Sequence, residues 1–161
     1  MEKRSSFAQA LFSGSEWYWE TPAFSLADQT QNSQQDCLVL FISDFKQGTE
    51  NGFNPESWEM FERIMKGMKL EGQEAVVAFD IKQAINMWRP KIIVLLGTTA
   101  ASNVLGEQIR MGQHHGQFFE RENFACPLVP IFHPDIMFAN ASLKAPAWVD
   151  IQKVMKFIGK L

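Results

Sequence analysis

The sequence predicts a three-layer α/β/α domain built on a short, mainly parallel sheet of four strands. Three observations predict it. Apolar runs of strand length recur along the chain, stretches of helical periodicity separate them, and each confident run ends in polar residues. The first run is residues 38–42 (LVLFI), continuous enough to be buried on both faces, closed by Ser43 and Asp44. Asn54 followed by Pro55 then signals a helix start, with Asn accepting from early backbone N–H groups and Pro suited to the first helical position. Trp58, Phe61, Met65 and Met68 recur at helical spacing as far as Gly72, which places this helix on the sheet.

Residues 75–79 (AVVAF) read as a strand or as the opening turn of a helix running through Ile81, Ile85 and Trp88 to Arg89 and Pro90; the strand is the preferred reading. Residues 91–96 (KIIVLL) are the clearest strand, β-branched and bounded by Pro90 and Gly97. Small residues over 98–105 suit a helix lying close to the sheet. Residues 127–132 (PLVPIF) form a further strand, and Pro130 within it points to a sheet edge. A last helix starts near Pro146, buries Trp148, Ile151, Met155 and Ile158, and carries Lys153, Lys156 and Lys160 on its other faces.

Ahead of this domain, residues 1–36 divide into an aromatic segment and a polar linker. The segment spans 7–24 and contains Leu11, Phe12, Trp17, Tyr18 and Trp19; the linker is the stretch SLADQTQNSQQD over 25–36. The aromatic segment is too short for a core of its own, so it either packs on the domain 37–161 or docks on a partner. The whole chain of 161 residues is 46% hydrophobic and 20% charged, enough to bury a full core without disulfide or metal support. No apolar run approaches the ~20 residues that span a bilayer, and no signal-peptide core follows the charged N-terminus; both lead to the expectation of a cytoplasmic protein. Two cysteines, Cys37 and Cys126, cannot supply a four-thiolate centre, so neither a metal nor another cofactor is expected. A net charge of -3 argues against a strongly basic nucleic-acid clamp and leaves room for a local basic patch.

Three strands end in Ser43-Asp44, in Gly97-Thr98-Thr99 and in His133-Pro134-Asp135. In open parallel sheets ligands bind at that edge, so one crevice is expected to gather Asp44, Thr98 and His133, with Asp80 as a further candidate. Singly, each has an ordinary reading: Asp44 as a turn residue, Thr98 or Thr99 as a helix cap, His133 as a turn histidine. The pair His114 and His115, between Gly112 and Gly116, reads as a solvated loop without a third ligand at metal spacing. Phosphate binding over residues 97–99 is a remaining alternative, although the loop lacks a glycine-rich cradle.

Residues 89–106 (RPKIIVLLGTTAASNVLG) resemble a segment of uracil-DNA glycosylases, particularly of families 4 and 5. Ile109-Arg110-Met111-Gly112 is similar to their Arg-Gly turn, residues 129–134 (VPIFHP) to their His-Pro motif, and Lys144 with Trp148-Val149-Asp150 to their Lys and Trp-x-Asp-Leu ending. Order and spacing agree over 38–158. The resemblance implies that His133 hydrogen-bonds the uracil O2 and stabilises the departing anion, that Asp44 orients the attacking water, and that Ile136 and Met137 form the wedge pushed into DNA. It also implies a substrate-binding set of Phe45, Asp80, Gly97, Thr98 and Pro134. The chain departs from the family's first motif, Gly-Glu-Ala-Pro-Gly, with Ser43-Asp44-Phe45-Lys46-Gln47-Gly48. Phe45 lies two places ahead of a base-stacking ring. Asp80 stands where an Asn would read the base, and a carboxylate cannot donate to uracil O4. The four cluster-binding cysteines of family 4 are absent.

A second resemblance covers the N-terminus as well. The psi subunit of bacterial DNA polymerase III has a related domain without a glycosylase site, and its pattern is similar to Leu11, Gly14, Trp17 or Trp19, Pro22, the strand at 38–42, Leu96-Gly97, Pro134, Lys144 and Trp148 here. It implies that Leu11, Trp17 and Trp19 belong to a peptide that docks on a protein partner. Together the two resemblances lead to the expectation of a DNA replication or repair domain, catalytically degenerate and acting through a protein partner; the alternative is an active monofunctional uracil-DNA glycosylase acting on single-stranded or uracil-containing DNA.

Overall fold

The computed structural model describes residues 34–161 together with the two-residue segment Tyr18–Trp19. Leu11 and Trp17 lie outside the described residues, and for Trp19 only the backbone is described. Among the described residues five strands, β1 (Tyr18–Trp19), β2 (Gln35–Ile42), β3 (Ala75–Ala78), β4 (Trp88–Leu96) and β5 (Leu128–Ile131), form one parallel sheet in the order β1-β3-β2-β4-β5. Four of these are the expected strands. The fifth, β1, comes from the aromatic segment and pairs with Val76 and Val77 on the outer side of β3.

The pleat sorts the apolar residues into two cores. Val39, Phe41, Val77, Ile92, Val94, Val129 and Ile131 face one side, where they pack on α1 (Pro55–Gly67) and α6 (Lys144–Ile158). Leu40, Ile42, Val76, Ile93, Leu95 and Leu128 face the other, against α2 (Ile81–Met87), α3 (Thr98–Leu105) and the short α4 (Met111–His114), while α5 (Pro134–Ala139) lies against α1. Helices on both faces explain why the strands read as continuous apolar runs instead of alternating ones. On α3 the residues turned to the sheet include Ala100 and Ala101, whose size lets the helix lie close.

Several details differ from the sequence reading. β2 begins at Gln35, inside the stretch read as linker, and Asp36 there accepts from Arg89 Nε at 2.7 Å. Asn54 makes no side-chain cap; its carbonyl accepts from Trp58 N–H at 2.8 Å, and Pro55 defines the helix start. That helix ends at Gly67, before the expected Gly72, and Lys69 turns the chain with φ of 61°. Trp88 opens β4 instead of closing a helix, because Pro90 disfavours helical backbone at Arg89 and the β2 ladder is there to pair it. α6 starts at Lys144, two residues ahead of Pro146. Its buried stripe runs Ala147, Ile151, Val154, Met155 and Ile158. Trp148 sits on the flank of that stripe, 38% exposed, lying across Gly67 of α1, so it is not a core residue as expected.

β5 forms the edge that Pro130 implied. Leu128 directs its N–H and C=O outward to Phe119, at 2.8 and 2.7 Å. Two residues on, Pro130 has its nitrogen on that same outer side, so its missing N–H removes no ladder bond. No helix among the described residues is long and apolar enough to cross a membrane.

Candidate functional site

A cleft of about 350 Å³ opens at the carboxyl ends of β2, β4 and β5. Its walls bring together Asp44, Lys46, Gly97, Thr98, His133 and Asp135, from three segments far apart in sequence. Parallel strands put their carboxyl ends on one edge, which is why these residues converge. Ser43 N–H continues the ladder to Ala78 C=O at 3.2 Å and Gly97 N–H to Ile131 C=O at 2.9 Å, so both strand exits are pinned by sheet bonds.

His133 sits at the N-terminal cap of α5. Its Nδ1 accepts from Asp135 N–H at 3.0 Å, and its Nε2 lies 2.9 Å from Ser43 Oγ. A backbone N–H can only donate, so Nδ1 carries the lone pair and the proton of the neutral ring is on Nε2. Nε2–H therefore donates to Ser43 Oγ, and the Ser43 hydroxyl donates onward to Asp44 C=O at 3.2 Å. The ring is stacked on buried Phe53, with centroids 5.0 Å apart and planes at 22°. On another side it meets Gly97, where an added Cβ would come within 3.3 Å of His133 Cβ. Gly97 has φ of 93°, a backbone conformation that glycine adopts without strain.

Burial pushes the His133 pKa below the usual histidine range; the charges of Asp135 and Asp44 oppose that shift and Lys46 adds to it. Lys46 Nζ and Asp135 Oδ2 approach to 3.7 Å across the cleft mouth, joining the loop after β2 to the start of α5. A histidine pKa lowered by folding means that the native state favours the neutral ring. The resulting stability is fully present above the unfolded value of about 6.5 and is lost as pH falls through the lower native value. Protonation also removes the Nδ1 lone pair that caps α5. Denaturant melts are expected to show the wild-type chain losing more stability between pH 7 and pH 5 than His133→Gln, and parallel pH profiles would contradict this.

The other sequence-derived candidates are placed differently. Asp80 does not line the cleft; it caps α2, accepting from Lys82 N–H at 3.0 Å and Gln83 N–H at 3.4 Å. Phe45 is half-buried edge-on against Phe79, centroids 5.1 Å apart, and is not among the cleft residues. Pro134 is buried as the first residue of α5. Of the two residues assigned to a wedge, Ile136 is 45% exposed on the cleft wall, whereas Met137 is buried in the core beneath α5 and presents no wedge. Successive side chains on a helix point about 100° apart, which here carries Met137 round to the core while Ile136 stays on the exposed side.

His115 is not a solvated loop residue. Its Nδ1–H donates to Asp150 Oδ2 at 2.6 Å, with the carboxylate side chain only 2% exposed and Lys153 Nζ at 3.8 Å. His114 bonds back to Arg110 in its own turn. A signal for this pair was present: Asp150 falls on the apolar stripe of α6, between Ala147 and Val154, where a carboxylate needs a partner. For Ser43, Phe53 and the Lys46–Asp135 pair no comparable signal exists, since their partners come from distant segments. Among the described residues no three His, Cys, Asp or Glu side chains come together as they would around a metal ion. The Cys126 thiol is pushed up to about 11 by burial, which makes it a poor nucleophile at neutral pH. Compared with models of known protein families, the chain matches none.

Proposed function

We propose that the chain is a uracil-DNA glycosylase-superfamily domain acting in DNA replication or repair, catalytically degenerate and working as a protein-docking accessory in the manner of the psi subunit. The observation that carries this reading is the internal commitment of the groups the chemistry would need. The single donor proton of neutral His133 is taken by Ser43 Oγ, the Phe45 ring packs on Phe79, and the Asp80 carboxylate caps α2. Among the described residues the cleft lining holds no Phe, Tyr or Trp ring on which a flipped base could stack. Exposed Phe138, Trp148, Val149 and Phe157 on α5 and α6 supply apolar surface of the kind a protein partner covers.

One observation favours the alternative of an active glycosylase: Asp44 and His133 line the same cleft. In that reading Asp44 orients a water toward the anomeric carbon and accepts its proton. The bond to the base breaks with its electron pair leaving on the base, and Nε2–H of His133 stabilises the resulting charge on O2. A base-release assay on single-stranded and mismatched oligonucleotides containing uracil separates the two. The degenerate reading predicts no release above the uncatalysed background, and no difference between wild type, Asp44→Asn and His133→Ala. Release that both substitutions abolish would establish the enzyme and overturn the accessory reading.

A further inference from the structure

We propose that Ser43 is the residue that silences the cleft: its hydroxyl holds the Nε2–H of His133, and removing that one oxygen returns a hydrogen-bond donor to the cleft. The proposal rests on the degenerate reading above and names the device behind it.

Neither partner of the bond is free to leave it. Ser43 is 1% exposed, its N–H is tied to the sheet at Ala78, and its hydroxyl proton is directed to Asp44 C=O. The imidazole is flanked by Phe53 and Gly97, and its Nδ1 is occupied by Asp135 N–H. Turning the ring over would put Cδ2–H in place of Nδ1 against Asp135 N–H, and so break the cap. A ligand carbonyl offers Nε2–H the same kind of neutral acceptor that Ser43 already provides. Exchanging one for the other gains almost nothing, and the displaced Ser43 oxygen loses its donor in a buried position. With the oxygen gone, the donor is paired at most with a mobile water, and a carbonyl that replaces it gains the worth of one neutral hydrogen bond. That worth corresponds to about tenfold in affinity.

The experiment is an NMR titration of the full chain with free uracil, following the His133 ring resonances in wild type, Ser43→Ala and Ser43→Gly, each also in a His133→Ala background followed by backbone amides. Both Ser43 variants are expected to bind uracil about tenfold more tightly than wild type, and His133→Ala is expected to erase that gain. No gain in either variant, or a gain that survives His133→Ala, would overturn the proposal. The wild-type chain gives a second check that does not depend on how the variants fold. Long-range nitrogen couplings should show the neutral ring protonated at Nε2, and a ring protonated at Nδ1 overturns the lock. Failure of the underlying reading looks different, since wild-type release of uracil from an oligonucleotide would sink it whatever Ser43 does.

Discussion

His115→Ala is expected to destabilise the chain by about 3 kcal/mol, near the upper end of what leaving a buried acceptor without its donor costs. The substitution removes the 2.6 Å partner of Asp150 and leaves a carboxylate 2% exposed, with only Lys153 at 3.8 Å to answer it. Lys153 is itself half exposed, so its help is partial. Asp150→Asn is expected to cost less, because it removes the charge while keeping an oxygen to accept from Nδ1–H. For a domain of this size the loss from His115→Ala corresponds to a fall of roughly 10 °C in melting temperature. Adding Asp150→Asn to His115→Ala should restore part of it, since the isolated charge is then gone. Equal effects of the two single substitutions, or a double variant worse than their sum, would show that the pair is held by packing and not by charge. Gly116 belongs to the same unit: a Cβ there would fall 2.1 Å from Asp150 Oδ1, so the carboxylate reaches His115 only because this position is glycine.

Gly97→Val is expected to cost about 3 kcal/mol and to empty the His133 seat. At φ of 93° and ψ of 164° the backbone lies in a region that is essentially glycine-only, worth about 1–3 kcal/mol of strain in any other residue, and β-branching adds to it. The added Cβ would also come within 3.3 Å of His133 Cβ, and the rest of the valine side chain has the imidazole in its way. The control is Gly106→Ala, at φ of 73° with nothing within 4 Å of the added carbon; it carries the backbone penalty alone, about 1 kcal/mol. Denaturant melts measure both, and the His133 ring resonances report whether the bonds to Ser43 and to Asp135 survive. A Gly97→Val protein as stable as the Gly106→Ala control, with unchanged His133 resonances, would contradict this account of the strand exit.

Much of the architecture was legible in the residues, because burial on both sheet faces imposes a pattern that shows in one dimension. The runs at 38–42 and 91–96 are continuous because helices cover both sides of β2 and β4. Pro130 announced an edge because an interior strand needs the N–H that proline lacks. Boundaries were less legible. Trp88 continues a helical spacing and yet begins β4, since pairing with β2 outweighs the local preference. Trp148 has the right chemistry for a core and the wrong helical phase by one position, and the neighbouring Gly67 of α1 lets it rest on the surface.

Period and composition are enough to imply a parallel α/β sheet with polar strand exits, and hence Asp44, Thr98 and His133 on one edge. What those residues are engaged in follows from long-range packing. The bond between Ser43 and His133 joins positions 90 residues apart, and that between His115 and Asp150 spans 35. Asp80 and Phe45 are spent on local partners, α2 and Phe79, that no spacing distinguishes from a ligand. A side chain's donor or acceptor type is written in its identity, whereas which partner it meets depends on the path of the chain through space.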